Sequence, residues 1–213
     1  SVPDSMRTAL AFSGCACLLR TKALTDCGLF DESFFAYCED TDLSLRIWQA
    51  GWTIMLAPGA KVIHHYSKTG GAFSLKKIFW VERNHFWVAS KNFPWIMLPL
   101  VPLFTVWRWL VESRAVIKRH PSLDGFIREN GVFKILAIIF AAHLAALMGQ
   151  PSAFVQRWKN RHTRKRSMTE MSRLLLQFRL SVHSVIIGEK ATDSGPQDTG
   201  LPGPGPDKTA GEP

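Results

Sequence analysis

The stretch FFAYCEDTDLSLR (residues 34–46) places three carboxylates within four positions, directly ahead of a helical pattern. Apolar residues recur at helical spacing after these acids, and Gly51 follows the last of them, which predicts a helix over 39–51. The residues that make this apolar stripe are Leu43, Ile47 and Ala50.

The acids of this stretch differ in what a helix allows them to do. Asp40 and Asp42 are two positions apart, so on a helix their side chains diverge by about 200° and point to different sides. Asp42 can instead pair with Arg46 along the helix surface. Glu39 and Asp40 lie in the first turn, where an exposed carboxylate is available as a general base. The alternative, that all three acids only begin a helix and face solvent, stays open on these residues alone.

The flanking residues predict an α/β arrangement. The apolar run FSGCACLLR (12–20) is typical of a buried strand, and TIMLA (53–57) and KVIHHY (61–66) of two further short strands. A short helix is expected from Thr21 to Gly28. A longer, aromatic-rich helix is expected to follow Ser74.

The four cysteines all lie early in the chain. Their spacing matches paired zinc knuckles poorly, so we do not expect a zinc site. Cys15 and Cys17 alternate within the expected strand, which predicts that both are small buried residues on one face. The chain begins without a recognisable secretory signal, which favours reduced thiols.

The second half of the chain favours a membrane surface as a partner. Two long apolar runs, at 93–107 and 135–148, precede a basic segment at 157–166 with six Lys and Arg residues and no acid. Basic clusters beside apolar segments bind anionic headgroups, and the net charge of +9 fits such a partner. Both runs are short for a span, so spanning and interfacial association stay open. No nucleic-acid motif accompanies the basic segment, and we expect no nucleic-acid partner.

The last part of the chain divides into a helix and a tail. Residues 167–187 open with a Ser167/Glu170 capping box and present one apolar helical face. The members of that face are Met171, Leu174, Leu175, Phe178, Val182 and Val185. Residues 189–213 contain too few apolar side chains to fold, so a disordered tail is expected.

Several motifs in order carry a family resemblance. GLFDESFFAYCEDTDLSLR, then GW, then PGAKVIHH resembles the C-terminal half of the inverting family 2 glycosyltransferases, which have the GT-A fold. The similarity covers roughly residues 10–90 and is greatest to rhamnosyltransferase-like enzymes of cell-surface polysaccharide synthesis. The later RNHFWVASKNFP and KNRHTRKR segments are also similar to the membrane-proximal tails of that subgroup.

The resemblance implies roles for individual residues. Asp40 would be the catalytic base that deprotonates the acceptor hydroxyl, and Glu39 would orient Asp40 or support the acceptor. His64 would contact a divalent metal, Mg²⁺ or Mn²⁺, that binds with the nucleotide-diphosphate donor. The residues expected to shape the donor and acceptor pocket are Gly14, Asp31 and Glu32.

The resemblance also predicts the organisation of the chain. We expect residues 1–91 to be the C-terminal half of a GT-A catalytic domain and 92–150 an apolar, membrane-associated helical region. A basic and amphipathic helical region at 151–188 and the tail at 189–213 would follow. The family's nucleotide-binding strands and Asp-x-Asp have no counterpart in the sequence, so the chain would be a fragment, inactive alone.

The function that the resemblance implies is sugar transfer at the cytoplasmic face of the cell membrane. The donor would be a nucleotide-diphosphate sugar, with hexosyl or rhamnosyl transfer, and the acceptor lipid-linked or polysaccharide. The alternative is a non-catalytic, membrane-associated module whose acids and histidines are structural.

Overall fold

A computed structural model of the chain describes residues 6–63, 74–117 and 127–178, and this part is mainly helical. Its strands are β1 (Arg7–Thr8) and β2 (Met55–Leu56), which pair antiparallel with Arg7 opposite Leu56. The helices are α1 (Thr21–Cys27), α2 (Glu39–Gln49), α3 (Leu75–Asn92), α4 (Leu100–Ile117), α5 (Val132–Met148), α6 (Gln150–Lys159) and α7 (Met168–Gln177). Short 3₁₀ turns lie at 32–34, 95–97 and 160–163, and residues 127–130 are helical.

The predicted strand content is largely wrong for the described residues. Residues 12–20 form turns and coil, Leu18 is fully exposed, and Cys15 and Cys17 are exposed instead of buried. A strand needs a neighbour that pairs with its backbone, and the described residues place none beside this run. Residues 61–63 also lack strand structure, and the rest of KVIHHY lies outside the described residues.

The helix predictions are confirmed at several boundaries. α2 begins at Glu39, and Gly51 follows its end with a φ of +89°. α3 begins directly after Ser74, and α1 ends before Gly28, whose φ is +83°. Positive φ costs glycine little because it lacks a Cβ, so these glycines end the helices where the sequence places them.

The core is built around α2. All of its residues from Asp42 to Gln49 are buried, and the helix lies between α1 and α3. α7 contributes Met171 and Leu174 to the same core, with Leu175 and Phe178 packed against it. The predicted apolar face of α7 is therefore confirmed over the described residues, and the rest of that face lies outside them.

α3 and α5 run parallel and in close contact. His85 faces His143 with ring centroids 6.3 Å apart, and the Trp87 indole N–H donates to the Ala146 carbonyl at 3.1 Å. A Cβ on Gly149 would lie 2.3 Å from the Trp87 ring, so only glycine allows this approach. This packing fixes α5 and α6 on the helix that also braces the candidate site.

The apolar region is divided by its prolines. Pro94 and Pro99 precede α4 and Pro102 lies in its first turn, where a missing N–H breaks no intrahelical hydrogen bond. In the described part of the chain, no single helix is long and apolar enough to cross a membrane. One pair, Val132–Met148 with Gln150–Thr163, meets the length and composition test together, with a bend of 46° between its members.

Candidate active site

The loop that leads into α2 has an unusual backbone. Phe35, Tyr37 and Cys38 have φ angles of 64°, 66° and 68°, a left-handed region that non-glycine residues rarely adopt. Each such residue costs roughly 1–2 kcal/mol. A backbone of this kind persists only where surrounding contacts hold it, and such segments cluster at functional sites.

Asn84 of α3 supplies those contacts. Its side chain is fully buried, and its amide Nδ2 donates to the carbonyls of Phe34 at 3.2 Å, Ala36 at 2.9 Å and Tyr37 at 2.7 Å. Its Oδ1 accepts from Nε of Arg83 at 2.9 Å, and Arg83 also donates to the Phe34 carbonyl at 2.9 Å. A single buried amide therefore holds the loop that delivers Glu39 and Asp40.

Asp40 lies half-buried in the first turn of α2. Its Oδ1 accepts from the Thr41 backbone N–H at 2.7 Å, and its Oδ2 accepts from the Gly14 backbone N–H at 3.2 Å. The structure thus brings together Gly14 and Asp40, which are 26 positions apart. A carboxylate oriented by two backbone donors keeps lone pairs for a further proton, which is the geometry that a general base needs.

Glu39, the other acid predicted to act here, is half-buried beside Asp40. Its Oε2 is buried and has no hydrogen-bond partner among the described residues. The thiol of the preceding Cys38 has its pKa raised to about 12, first by burial and then by the charges of Asp40, Glu39 and Glu82. Cys38 is therefore a neutral thiol at physiological pH. The supporting role of Glu39 stays a prediction.

Asp42 has a structural role distinct from that of Asp40. It is fully buried, and Arg46 Nε donates to its Oδ2 at 2.8 Å, which confirms the predicted pair. The pair is buried instead of lying on the surface, and Oδ1 accepts from Asn92 at 2.7 Å and lies 3.1 Å from Lys91 Nζ. The two aspartates of Asp-Thr-Asp therefore point apart, as the helix spacing predicts.

Arg46 connects this network to α1. Its guanidinium donates to the carbonyls of Cys27 and Leu29, both at 2.7 Å. These carbonyls lie at the end of α1, where backbone acceptors lack helical partners and a cation is favoured. Removing one partner of a buried, hydrogen-bonded ion pair is strongly destabilising, so α2 is tied to its neighbours by charge as well as by apolar packing.

Asp31 and Glu32 lie at the 3₁₀ turn before the loop. Asp31 accepts from the Ser33 backbone N–H at 2.9 Å and from Lys91 Nζ at 2.5 Å. Burial acts to raise the pKa of Asp31, but the Lys91 and Ser33 hydrogen bonds outweigh it and leave the pKa below the usual value. Glu32 is exposed. These contacts assign Asp31 to the loop's support, and the predicted pocket roles of both acids stay predictions.

The metal prediction rests on His64, which lies outside the described residues. Over residues 6–63, 74–117 and 127–178, no three His, Cys, Asp or Glu side chains converge as a metal site. The described residues therefore do not test whether a divalent metal fits this site. The reaction proposed below assigns no step to a metal.

The basic segment 157–166 contributes to the fold as well as to the surface. Arg157 is buried and donates to the carbonyls of Ser90 at 2.9 Å and Phe93 at 2.7 Å, at the end of α3. Burial lowers the pKa of Arg157 to about 10, so it remains charged at neutral pH. Arg164 donates to the Lys91 carbonyl at 3.1 Å. Sequence patterning could not distinguish the buried Arg157 and the half-buried Arg164 from the exposed Lys159 and Arg161.

Comparison with known protein families gives a match over much of the chain. The family model described as "Glycosyl transferase family group 2" matches residues 1–149. The chain belongs to this glycosyltransferase family. That match covers the loop, α2, α3 and the apolar helices up to Gly149, so the candidate base and its supports all lie within the family region.

Two curated relatives are N-acetylglucosaminyl-diphospho-decaprenol L-rhamnosyltransferases of two Mycobacterium tuberculosis strains, CDC 1551 / Oshkosh and H37Rv. Each is 28% identical to this family 2 chain over 119 residues, which is 55% of the chain and 36% of the relative. The chain therefore spans about a third of the length of the curated relatives it matches. No solved structure shows significant similarity to it.

Proposed function

We propose that this chain carries the acceptor-activating part of an inverting glycosyltransferase. The enzyme moves a hexose or L-rhamnose from a nucleotide-diphosphate donor to a lipid-linked or polysaccharide acceptor. Family membership and the similarity to rhamnosyltransferases support this class of reaction. The observation that carries the proposal is Asp40, which two backbone N–H groups orient at the start of the buried helix α2.

The proposed reaction assigns one proton transfer to this chain. Asp40 takes the proton of the acceptor hydroxyl as that oxygen attacks the anomeric carbon of the donor sugar. The bond between the anomeric carbon and the nucleotide diphosphate breaks on the opposite face, which inverts the configuration. The base must lie within hydrogen-bond reach of the hydroxyl, and the support of the loop by Asn84 keeps Asp40 in one position for that contact.

The proposal includes a divalent metal bound with the donor diphosphate, with His64 as its contact from this chain. It also includes the cytoplasmic face of the cell membrane as the place of reaction, since a lipid-linked acceptor is held there. Support comes from exposed apolar side chains on neighbouring helices, together with the exposed basic Lys159 and Arg161. These apolar side chains include Leu103, Trp107 and Leu110 on α4 and Phe133, Phe140 and Leu147 on α5.

The substitution Asp40→Asn, introduced into the complete open reading frame that encodes this chain, tests the proposed base. The substitution keeps the size of the side chain but removes its basicity, so transfer from nucleotide-diphosphate L-rhamnose to N-acetylglucosaminyl-diphospho-polyprenol should fall by about 10²–10⁴-fold. Transfer is measured with radiolabelled donor, and circular dichroism checks the fold. Asp26→Asn is the matched control, because Asp26 lies on α1 and pairs with Lys22.

Two outcomes would contradict the proposal. Unchanged transfer by a folded Asp40→Asn variant would remove the base and favour a module whose acids are structural. Sugar transfer by the purified 213-residue chain alone would contradict our expectation that the activity needs residues beyond those of this chain.

A further inference from the structure

A cleft of about 550 Å³ opens at the N-terminal end of α3, next to the loop that leads to Asp40. Its lining residues are Tyr37, Ser74, Leu75, Lys76, Lys77, Trp80 and Asn130. Tyr37 belongs to the loop held by Asn84 and precedes Asp40 by three positions, so the cleft adjoins the loop that leads to the proposed base.

The charge of this cleft suits an anion. Lys76 is exposed and Lys77 half-buried, and none of the described residues that line the cleft is acidic. Ser74 and Leu75 of the cleft lie at the start of α3, so the cleft faces the N-terminal end of that helix. The positive end of the α3 dipole adds to the two ammonium groups.

The cleft also contains an aromatic surface. The rings of Trp80 and Tyr37 are stacked, with an angle of 28° between their planes and 6.3 Å between their centroids. The centroid of the Phe35 ring lies 5.0 Å from that of Trp80. Lys77 Nζ lies 5.6 Å from the centre of the Tyr37 ring. Rings of this kind offer an apolar face with polar edges, which suits the C–H face and the hydroxyls of a sugar ring.

We propose that this cleft binds the sugar-diphosphate headgroup of the lipid-linked acceptor, with the diphosphate on Lys76 and Lys77 and the sugar on Trp80 and Tyr37. This inference rests on the proposed function and assigns a site for its acceptor. A glycosyl diphosphate is also part of the nucleotide donor, but the surroundings favour the lipid form. Beyond Asn130 the chain continues into apolar side chains that are at least half exposed, a surface suited to a prenyl chain. These side chains are Val132, Phe133 and Leu136.

The test measures binding to the purified 213-residue chain by tryptophan fluorescence. The probes are N-acetylglucosaminyl diphosphate carrying a short prenyl chain and the nucleotide-diphosphate form of the same sugar. Trp80 is one of eight tryptophans, so Trp80→Phe identifies its share of the signal. Replacing Lys76 and Lys77 together by Gln removes both charges and keeps much of the side-chain length, and Lys22→Gln on α1 is the matched control.

We expect the prenyl probe to bind at least about tenfold more tightly than the nucleotide form, and the double Lys→Gln variant to weaken it by at least about tenfold, equal to ~1.4 kcal/mol. Lys22→Gln should leave the affinity unchanged, and Trp80→Phe should remove most of the fluorescence change. Equal or tighter binding of the nucleotide form, or unchanged prenyl-probe affinity in the folded double variant, would overturn the inference. Such a result would leave the assignment of Asp40 intact, because that assignment is tested by transfer and not by binding.

Discussion

Replacement of Asn84 by Ala should release the loop that presents Glu39 and Asp40. The variant removes the only donor that reaches the carbonyls of Ala36 and Tyr37 in the described hydrogen-bond network. It also removes one of the three donors that reach the carbonyl of Phe34. The amide has two N–H groups, which the three carbonyls share, and its Oδ1 also loses the Arg83 donor. At about 1 kcal/mol for each of these three groups, the loss is about 3 kcal/mol.

The backbone strain in the same loop determines whether the lost hydrogen-bond energy lowers global stability or only changes the loop locally. Relaxing three left-handed residues returns roughly 1–2 kcal/mol each, which is comparable with the hydrogen bonds lost. The loop should therefore change conformation locally while the core of α2 stays folded. The free energy of unfolding should fall by no more than about 3 kcal/mol.

Hydrogen exchange of the backbone amides of residues 35–42 measures this directly. In Asn84→Ala we expect the exchange of these amides to accelerate more than that of residues 43–49. We also expect sugar transfer by the protein that the complete reading frame encodes to fall. Asn84→Asp should behave similarly, because it keeps the acceptor for Arg83 but turns a second oxygen towards the carbonyls. Asn160→Ala, after α6, is the control. Equal exchange across 35–49, with an unfolding free energy unchanged within about 0.5 kcal/mol, would refute the reasoning.

Two further predictions concern pH and membranes. Burial lowers the pKa of His85 to about 4, below its ordinary 6.5, against the opposing charge of Glu82; the charges of Arg108 and His143 lower it further. The folded state therefore binds this proton less readily than the unfolded state. The free energy of unfolding, measured by urea titration, should be highest above pH 6.5 and should fall by about 3 kcal/mol towards pH 4. The variant His85→Gln should show a smaller fall over the same pH range. The chain should also sediment with anionic vesicles at low salt and be released at high salt, whereas salt-independent retention, or no retention, would argue against the proposed basic and apolar surface.

The helices could be predicted because their signals are local. The bounds of α2 and α3 follow from apolar spacing, from the glycine after α2 and from the serine before α3. The Ser167–Glu170 capping box was also predictable, since both partners lie within one turn. The strand predicted at 12–20 was wrong, because a short apolar run forms a strand only where another strand pairs with it.

The candidate site required both kinds of information. The family resemblance identified Asp40 and Gly14 separately, and the structure joins them through a hydrogen bond of 3.2 Å. Nothing local marks Asn84 as the support of this loop, since its partners lie 47–50 positions away. The one available signal was an asparagine within an aromatic-rich helix, because such a residue needs hydrogen-bond partners if the helix buries it.

The sequence by itself determined where α1, α2 and α3 begin and end, that Asp40 and Asp42 point apart, and which family the chain resembles. These properties depend on residues a few positions apart or on motifs in order. Only the tertiary structure decided that Asp42 and Arg46 form a buried pair, that Arg157 caps α3, and that a cleft with two lysines adjoins the loop before Asp40. Burial and pairing depend on which distant segments meet, and local periodicity carries no information about that choice.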